Sequence, residues 1–157
     1  MGETKTGLGA EAASKDSAGR LLAIDLGAKR VGVAVSDELR ITVRPLPAIA
    51  RRSWKDLLRQ IVALVEEFQA KGLVVGLPLR LDGVEGEAAA NARSVASKFQ
   101  QSLGIPVLLQ DERLTSLEAE SDLRSAGKSG QEIEGEIDSA AAVVILRDFI
   151  AGNDRRS

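Results

Sequence analysis

The 157-residue sequence contains no cysteine and no histidine. Without cysteine there are no disulfides, no thiolate metal sites and no thiol nucleophile, a composition that fits a reducing compartment. Without histidine there is no Ser-His-Asp triad, no imidazole-ligated zinc and no imidazole acid or base. Any catalysis must therefore run on carboxylates, lysine, arginine, hydroxyls or a bound metal ion. Long apolar runs are missing too. Nothing approaches the roughly 20 residues of a membrane-spanning helix. The stretch from Met1 to Arg20 is polar and mixed in charge, without the apolar centre of a secretory signal. The expectation is a protein with no membrane partner.

What is present is ordinary globular composition, 44% hydrophobic and 28% charged, over a length that suits one domain. A net charge of −2 excludes a bulk polycation that binds nucleic acid indiscriminately. The charge is unevenly spread. Eight basic residues stand against three acidic ones from Lys29 to Arg59, and nine acidic against three basic from Asp111 to Asp138. Solvated faces of opposite sign account for this, and so does a phosphate-binding surface beside a cation site.

Residues 1–19 are Gly-, Ala-, Ser- and Lys-rich without periodicity and read as a tail. A domain is expected over residues 20–151, followed by a short tail at 152–157. Leu21 to Ile24 form an apolar run closed by Asp25, as in a strand buried on both faces. A turn over residues 26–30 leads to a second strand with Val31, Val33 and Val35 alternating. A third strand is expected around Arg40 to Val43, with Pro45 and Pro47 marking where pairing stops. Ser53 to Lys71 has the clearest helical spacing, capped by Ser53 and ended by Gly72. Residues 73–77 read as a strand stopped by Pro78, residues 82–86 as a flexible loop, and residues 87–103 as an Ala-rich helix. Val107 to Leu109 start a fifth strand that runs into Asp111-Glu112-Arg113. A short helix over residues 116–126, a Gly-containing loop and a last helix over residues 137–150 complete the order. The order βββαβαβαα predicts an α/β, ribonuclease H-like fold. Its mixed five-stranded sheet carries helices on both faces, with the first strand central and its carboxyl end opening on a crevice.

Three acidic positions converge in that topology. Asp25 ends the first strand, where it either shapes an Asx turn or binds a cation, or does both. Asp111-Glu112 end the fifth strand. A local ion pair with Arg113 accounts for them, as does a metal ligand facing the crevice, with Arg113 and Thr115 on phosphate. Pattern leaves open which of the two acids points inward, and we take Glu112. Asp138 opens the last helix, where the macrodipole favours an acid by about 0.3–1 kcal/mol. It also shares a face with Ala141, Ala142 and Ile145, small enough for close approach to the sheet. Oxygen-only ligation suits Mg²⁺ or Mn²⁺, and a two-metal site of this type hydrolyses phosphodiesters with ions about 3.5–4 Å apart. Lys29 and Arg30, in the turn beside Asp25, are placed to hold phosphates, and Arg51, Arg52, Lys55 and Arg59 extend the track.

Four blocks carry a family resemblance. Leu22-Ala23-Ile24-Asp25-Leu26-Gly27-Ala28-Lys29-Arg30-Val31-Gly32-Val33-Ala34-Val35-Ser36-Asp37 resembles the opening signature of the YqgF/RuvX family. Val74-Val75-Gly76-Leu77-Pro78-Leu79 with Asp82-Gly83, then Asp111 to Ser116, then Ile137 to Leu146 resemble the other three in order. The resemblance implies a ribonuclease H-like fold in a cytoplasmic bacterial protein that matures the 5′ end of pre-16S rRNA, with structured RNA and ribosomal particles as partners. It also implies an older alternative, a Holliday-junction resolvase acting on branched DNA, similar to the RuvC resolvases. The family's acidic residues carry onto Asp25, Glu112 and Asp138. Three departures stand out. Arg80-Leu81 replaces a common Asn-Met, Gly135-Glu136 stands where a lysine is common, and the fourth strand ends in Leu77-Pro78 where RuvC resolvases supply their second carboxylate. A non-catalytic nucleic-acid-binding domain is the reading outside enzymes, and the presence of all three acids argues against it. No feature of the sequence argues for a dimer.

Overall fold

The computed structural model describes residues 19–80, 82–112 and 130–155, with side chains left out for 130–138 and 153–155. Strands β1 (Leu21–Leu26), β2 (Arg30–Ser36), β3 (Val43–Ala50), β4 (Gly72–Pro78) and β5 (Val107–Glu112) form one sheet in the order β3-β2-β1-β4-β5. The β1–β2 and β2–β3 pairs are antiparallel, and β1–β4 and β4–β5 are parallel. Helices α1 (Trp54–Phe68) and α2 (Glu87–Ser102) cross over one face, and α3 (Gly130–Arg155) covers the other.

Both faces of β1 are buried because both are roofed. Leu22 and Ile24 pack with Leu57 and Ile61 of α1 and Ala92, Val95 and Phe99 of α2. Leu21 and Ala23 pack with Ala142, Ile145, Leu146 and Phe149 of α3. This is why the strand reads as a continuous apolar run and not as an alternation. The central position of β1 and the helices on both faces follow the expectation. Among the described residues no helix is long and apolar enough to cross a membrane.

Several boundaries differ from the sequence reading. Strand β3 begins at Val43 and runs through both prolines, with Pro45 opposite Ala34. It is an edge strand, and a proline there loses no ladder bond that a neighbour needs. Helix α1 ends at Gln69, which takes the left-handed conformation with φ 52° and caps the last turn, so Gly72 already belongs to β4. Helix α3 starts at Gly130 and continues to Arg155, with Gly135 inside it and the expected boundary at 151 within its last turn and a half. Apolar packing on the sheet outweighs the local cost of a glycine, about 1 kcal/mol. The expected loop at 82–86 is a hydrogen-bonded turn. The Arg80 N–H donates to the Val84 carbonyl at 3.0 Å, the Val84 N–H to Asp82 Oδ1 at 2.9 Å, and Leu79 bridges to Glu85. The expected tail over residues 1–18 and the short helix over residues 116–126 lie outside the described residues.

Candidate carboxylate site at the end of the central strand

The parallel register sets the site. Leu73 pairs with Val107 and Pro78 with Glu112, so Gly76 and Glu112 lie on the same face of the sheet two steps apart. That face also holds Ala23 and Val74 and is covered by α3. Asp25, two residues beyond Ala23, shares it. Asp111 falls on the opposite parity and is exposed, whereas Glu112 is 9% exposed. The choice between the two acids that pattern left open is thereby made for Glu112.

Glu112 comes from β5 and Asp25 from β1, with β4 between them. The two carboxyl groups nevertheless meet, and the reason is Gly76. A Cβ at this position would lie 2.8 Å from Glu112 Oε2 and 2.5 Å from Ile145 Cδ1. The missing side chain on β4 is the space through which the longer glutamate reaches back to the central strand. The sequence reading passed over Gly76. Its signal was a glycine inside an otherwise bulky apolar strand, which marks a close approach.

Burial first, then the negative charge of Asp25 and a hydrogen bond to it, push the Glu112 carboxyl up from an ordinary 4.5 to about 8. The buried pair thus favours a single shared proton over two adjacent negative charges. Two carboxyl groups brought into contact in a half-buried site are held together either by a proton or by a cation. The donor set is all oxygen, which fits a hard divalent ion. Among the described residues no group of three or more acids is assembled. Asp138 is carried on α3, immediately before the buried Ser139, and its side chain is outside the described residues.

The turn after Asp25 is built from its own main chain and from Arg51. The Gly27 N–H donates to the Arg30 carbonyl at 2.9 Å, and a Cβ on Gly27 would stand 2.6 Å from that oxygen. Arg51 donates its N–H to the Lys29 carbonyl and its Nη1 to the Gly27 carbonyl, both at 2.8 Å. Arg51, expected in the phosphate track, is therefore a clamp on the β1–β2 hairpin. Lys29 and Arg30 are exposed on that hairpin, beside the carboxylates. Arg52 and Lys55 are exposed at the start of α1 on the same edge of the sheet, and Arg59 is ion-paired with Asp56. Arg113 and Thr115 lie outside the described residues. The 79–86 turn adjoins the site through the Leu79 N–H, which donates to the Glu112 carbonyl at 3.0 Å. It is braced by Arg93 of α2, whose Nε and Nη2 donate to Glu85 at 2.8 and 2.6 Å.

An antiparallel β1–β2–β3 meander joined to a parallel β1–β4–β5 half, with paired acids at the carboxyl end of the central strand, defines a domain of the ribonuclease H-like class. The chain aligns structurally with Thermus thermophilus RuvC in complex with a Holliday junction substrate, at a TM-score of 0.52. The alignment covers 87% of this chain and 96% of that one at 14% identity, which speaks for the fold. Residues 19–152 match the RuvX family model, described as Holliday junction resolvase. The chain belongs to the RuvX family. A relative from Anaeromyxobacter sp. (strain K), named "Putative pre-16S rRNA nuclease", is 44% identical over 138 residues, 88% of this chain and 98% of its own length. A relative of the same name from Escherichia coli O157:H7 is 42% identical over 131 residues, 83% of this chain and 95% of its own length.

Proposed function

We propose that this chain is a divalent-metal-dependent endonuclease that hydrolyses phosphodiesters in structured RNA, acting in the bacterial cytoplasm on the 5′ leader of pre-16S rRNA. The observation that supports it best is the meeting of Asp25 and Glu112 across Gly76, with Glu112 driven to about 8 by burial and by its neighbour's charge. A site that forces two acids together is unfavourable until a cation replaces the shared proton. Asp25, Glu112 and Asp138 are the residues that would hold Mg²⁺ or Mn²⁺. When bound, the ions supply Lewis acidity toward the scissile phosphate and the attacking water.

The chain's own groups do the rest. Asp25 and Glu112, fixed by β1 and β5, would hold the cation with both carboxyl groups ionised. Lys29 and Arg30 present positive charge to the phosphates on one side of the carboxylates, and Arg52 and Lys55 extend that charge along the same edge. Arg113 and Thr115, directly after β5, complete the phosphate contacts. The unit that does this is the domain over residues 20–151, flanked by the segments 1–19 and 152–157. The family description favours one second reading, a resolvase acting on four-way DNA junctions.

The test is cleavage of a pre-16S 5′-leader RNA and, separately, of a four-way DNA junction in Mg²⁺ and in Mn²⁺, with Asp25→Asn beside the wild type. RNA-selective cleavage that is lost in the variant supports the proposal. Paired incisions confined to the junction transfer the function to recombination. Cleavage of neither, with or without ribosomal particles, leaves a binding domain and overturns the proposed activity.

A further inference from the structure

Ser139 is one of four buried polar or charged residues among those described, and it is 1% exposed. It stands on α3 directly after Asp138, and its hydroxyl enters the sheet. The Val33 N–H donates to Ser139 Oγ at 3.3 Å, and Ser139 Oγ donates to the Leu46 carbonyl at 2.5 Å. Val33 and Leu46 are register partners on β2 and β3. The register shifts beside them. Val31 pairs with Ile49 and Val33 with Leu46, so Gly32 alone stands opposite both Pro47 and Ala48. This is a bulge on β3, and a bulge disrupts the ladder and leaves main-chain groups to be satisfied by other partners. Here a hydroxyl from a helix on the face of the sheet links them.

The position of that link matters. Gly32 is the β2 partner of Asp25, and Val33 is the partner of Ile24. The serine therefore anchors α3 one strand away from the carboxylate pair, and the residue it follows in the chain is the third acid. Apolar contacts of Ala142, Ile145 and Leu146 hold α3 against the sheet, but such contacts are non-directional and tolerate sliding and rotation. A two-sided hydrogen bond to one N–H and one carbonyl does not. We infer that Ser139 is a positioning residue of the nuclease: its hydroxyl, seated in the β2–β3 bulge, sets the depth and rotation of α3 and so delivers the Asp138 main chain to the Asp25–Glu112 pair. This rests on the proposed role of Asp138 as a metal ligand.

Ser36 provides a matched control. It is equally buried, accepts from the Leu21 N–H at 2.9 Å and donates to the Asp37 carbonyl at 3.0 Å, at the other end of the sheet. Ser36→Ala and Ser139→Ala thus remove the same chemistry from two places. The experiment is a titration of Mn²⁺ into each metal-free variant, read by calorimetry and by the Mn²⁺ paramagnetic signal, at a temperature where circular dichroism shows both folded. Outer partners of metal sites are worth about 10–100-fold in affinity. Ser139→Ala is expected to weaken Mn²⁺ binding about tenfold or more, with Ser36→Ala unchanged. Asp138→Asn is expected to weaken binding in the wild-type background and to add much less on Ser139→Ala. If Ser139→Ala does not fold, Ser139→Cys, which keeps the volume and a weak donor, takes its place with the same expectations. A folded Ser139 variant that binds Mn²⁺ like the wild type while Asp138→Asn does not overturns this inference alone. An Asp138→Asn variant with unchanged binding overturns the three-carboxylate reading and the inference with it.

Discussion

The two ends of the sheet treat the same chemical group in opposite ways. At the start of β1, Asp37 accepts hydrogen bonds from the N–H groups of Thr42 and Ile41, at 2.9 and 2.7 Å. Those backbone donors hold its carboxyl below the ordinary carboxylate value. Around it Ser36 ties Leu21 to Asp37, and Arg40, in a left-handed turn with φ 60°, donates Nε to the Gly19 carbonyl at 2.7 Å. These polar groups meet complementary partners, and that end is tied together by them. At the other end of the same strand the partner of a carboxyl is another carboxyl, and Glu112 is pushed upward. The contrast sets an end where a carboxyl meets backbone donors against an end where it meets a second acid, and perturbed carboxyl pairs of the latter kind mark candidate functional sites.

The largest expected effect breaks the end with the paired acids. Asp25→Asn should lower nuclease activity by more than about a hundredfold, since losing even an outer partner of a metal site costs about 10–100-fold and Asp25 is proposed to hold the ion directly, without loss of the fold. In the same variant the Glu112 carboxyl should fall part of the way toward 4.5, because the neighbouring charge is gone while burial, the larger cause, remains. Carboxyl chemical shifts followed through a pH titration measure that fall.

The pH dependence of the metal-free protein separates the ends next. A folded-state value of about 8 against an ordinary 4.5 means that Glu112 binds its proton more tightly in the folded chain. Its contribution to stability is complete below the ordinary value and is lost as pH rises through about 8. Asp37, lowered in the fold, works in the other sense, and its contribution is lost as pH falls. Denaturant midpoints measured from pH 4 to 9 should therefore decline on the alkaline side in the metal-free wild type. Glu112→Gln or saturating Mg²⁺ should flatten that decline. A profile flat to pH 9 without metal would contradict the shared proton.

Gly76→Ala sharpens the geometric half of the comparison. The new methyl meets Ile145 Cδ1 and Glu112 Oε2, both closer than atoms tolerate, and overpacking of this kind costs about 1–3 kcal/mol. Denaturant unfolding should show that loss, and cleavage should fall further than stability explains, since Glu112 is moved off Asp25. Ser36→Ala, at the Asp37 end, should cost about 1–3 kcal/mol for the buried groups left without partners. The folded variant should cleave at the wild-type rate.

Much of this was legible in the sequence, for identifiable reasons. The apolar run of Leu21 to Ile24 announces a strand covered on both faces, and the spacing of Trp54, Leu57, Ile61 and Phe68 announces α1. Asp25 and Glu112 could be singled out because, with no histidine and no cysteine, acids at strand ends are the chemistry that remains. Other features were not legible. Pro45 and Pro47 look like the end of a strand because local rules do not say which strand is at an edge. Arg51 looks like one more surface cation because its two bonds go to residues 22 and 24 positions earlier in the chain.

The amino-acid sequence by itself determined the kinds of element, the face each buries, and a chemistry without thiol or imidazole groups. These follow from periodicity and from which side chains exist, and both are local properties. The tertiary structure alone decided that Glu112 and not Asp111 faces inward, that Gly76 is the gap through which it reaches Asp25, and that Ser139 locks α3 into a bulge of the sheet. Each of those depends on strand order and register. Register is settled by packing the whole molecule at once, because a shift of one residue turns every side chain of a strand to the other face.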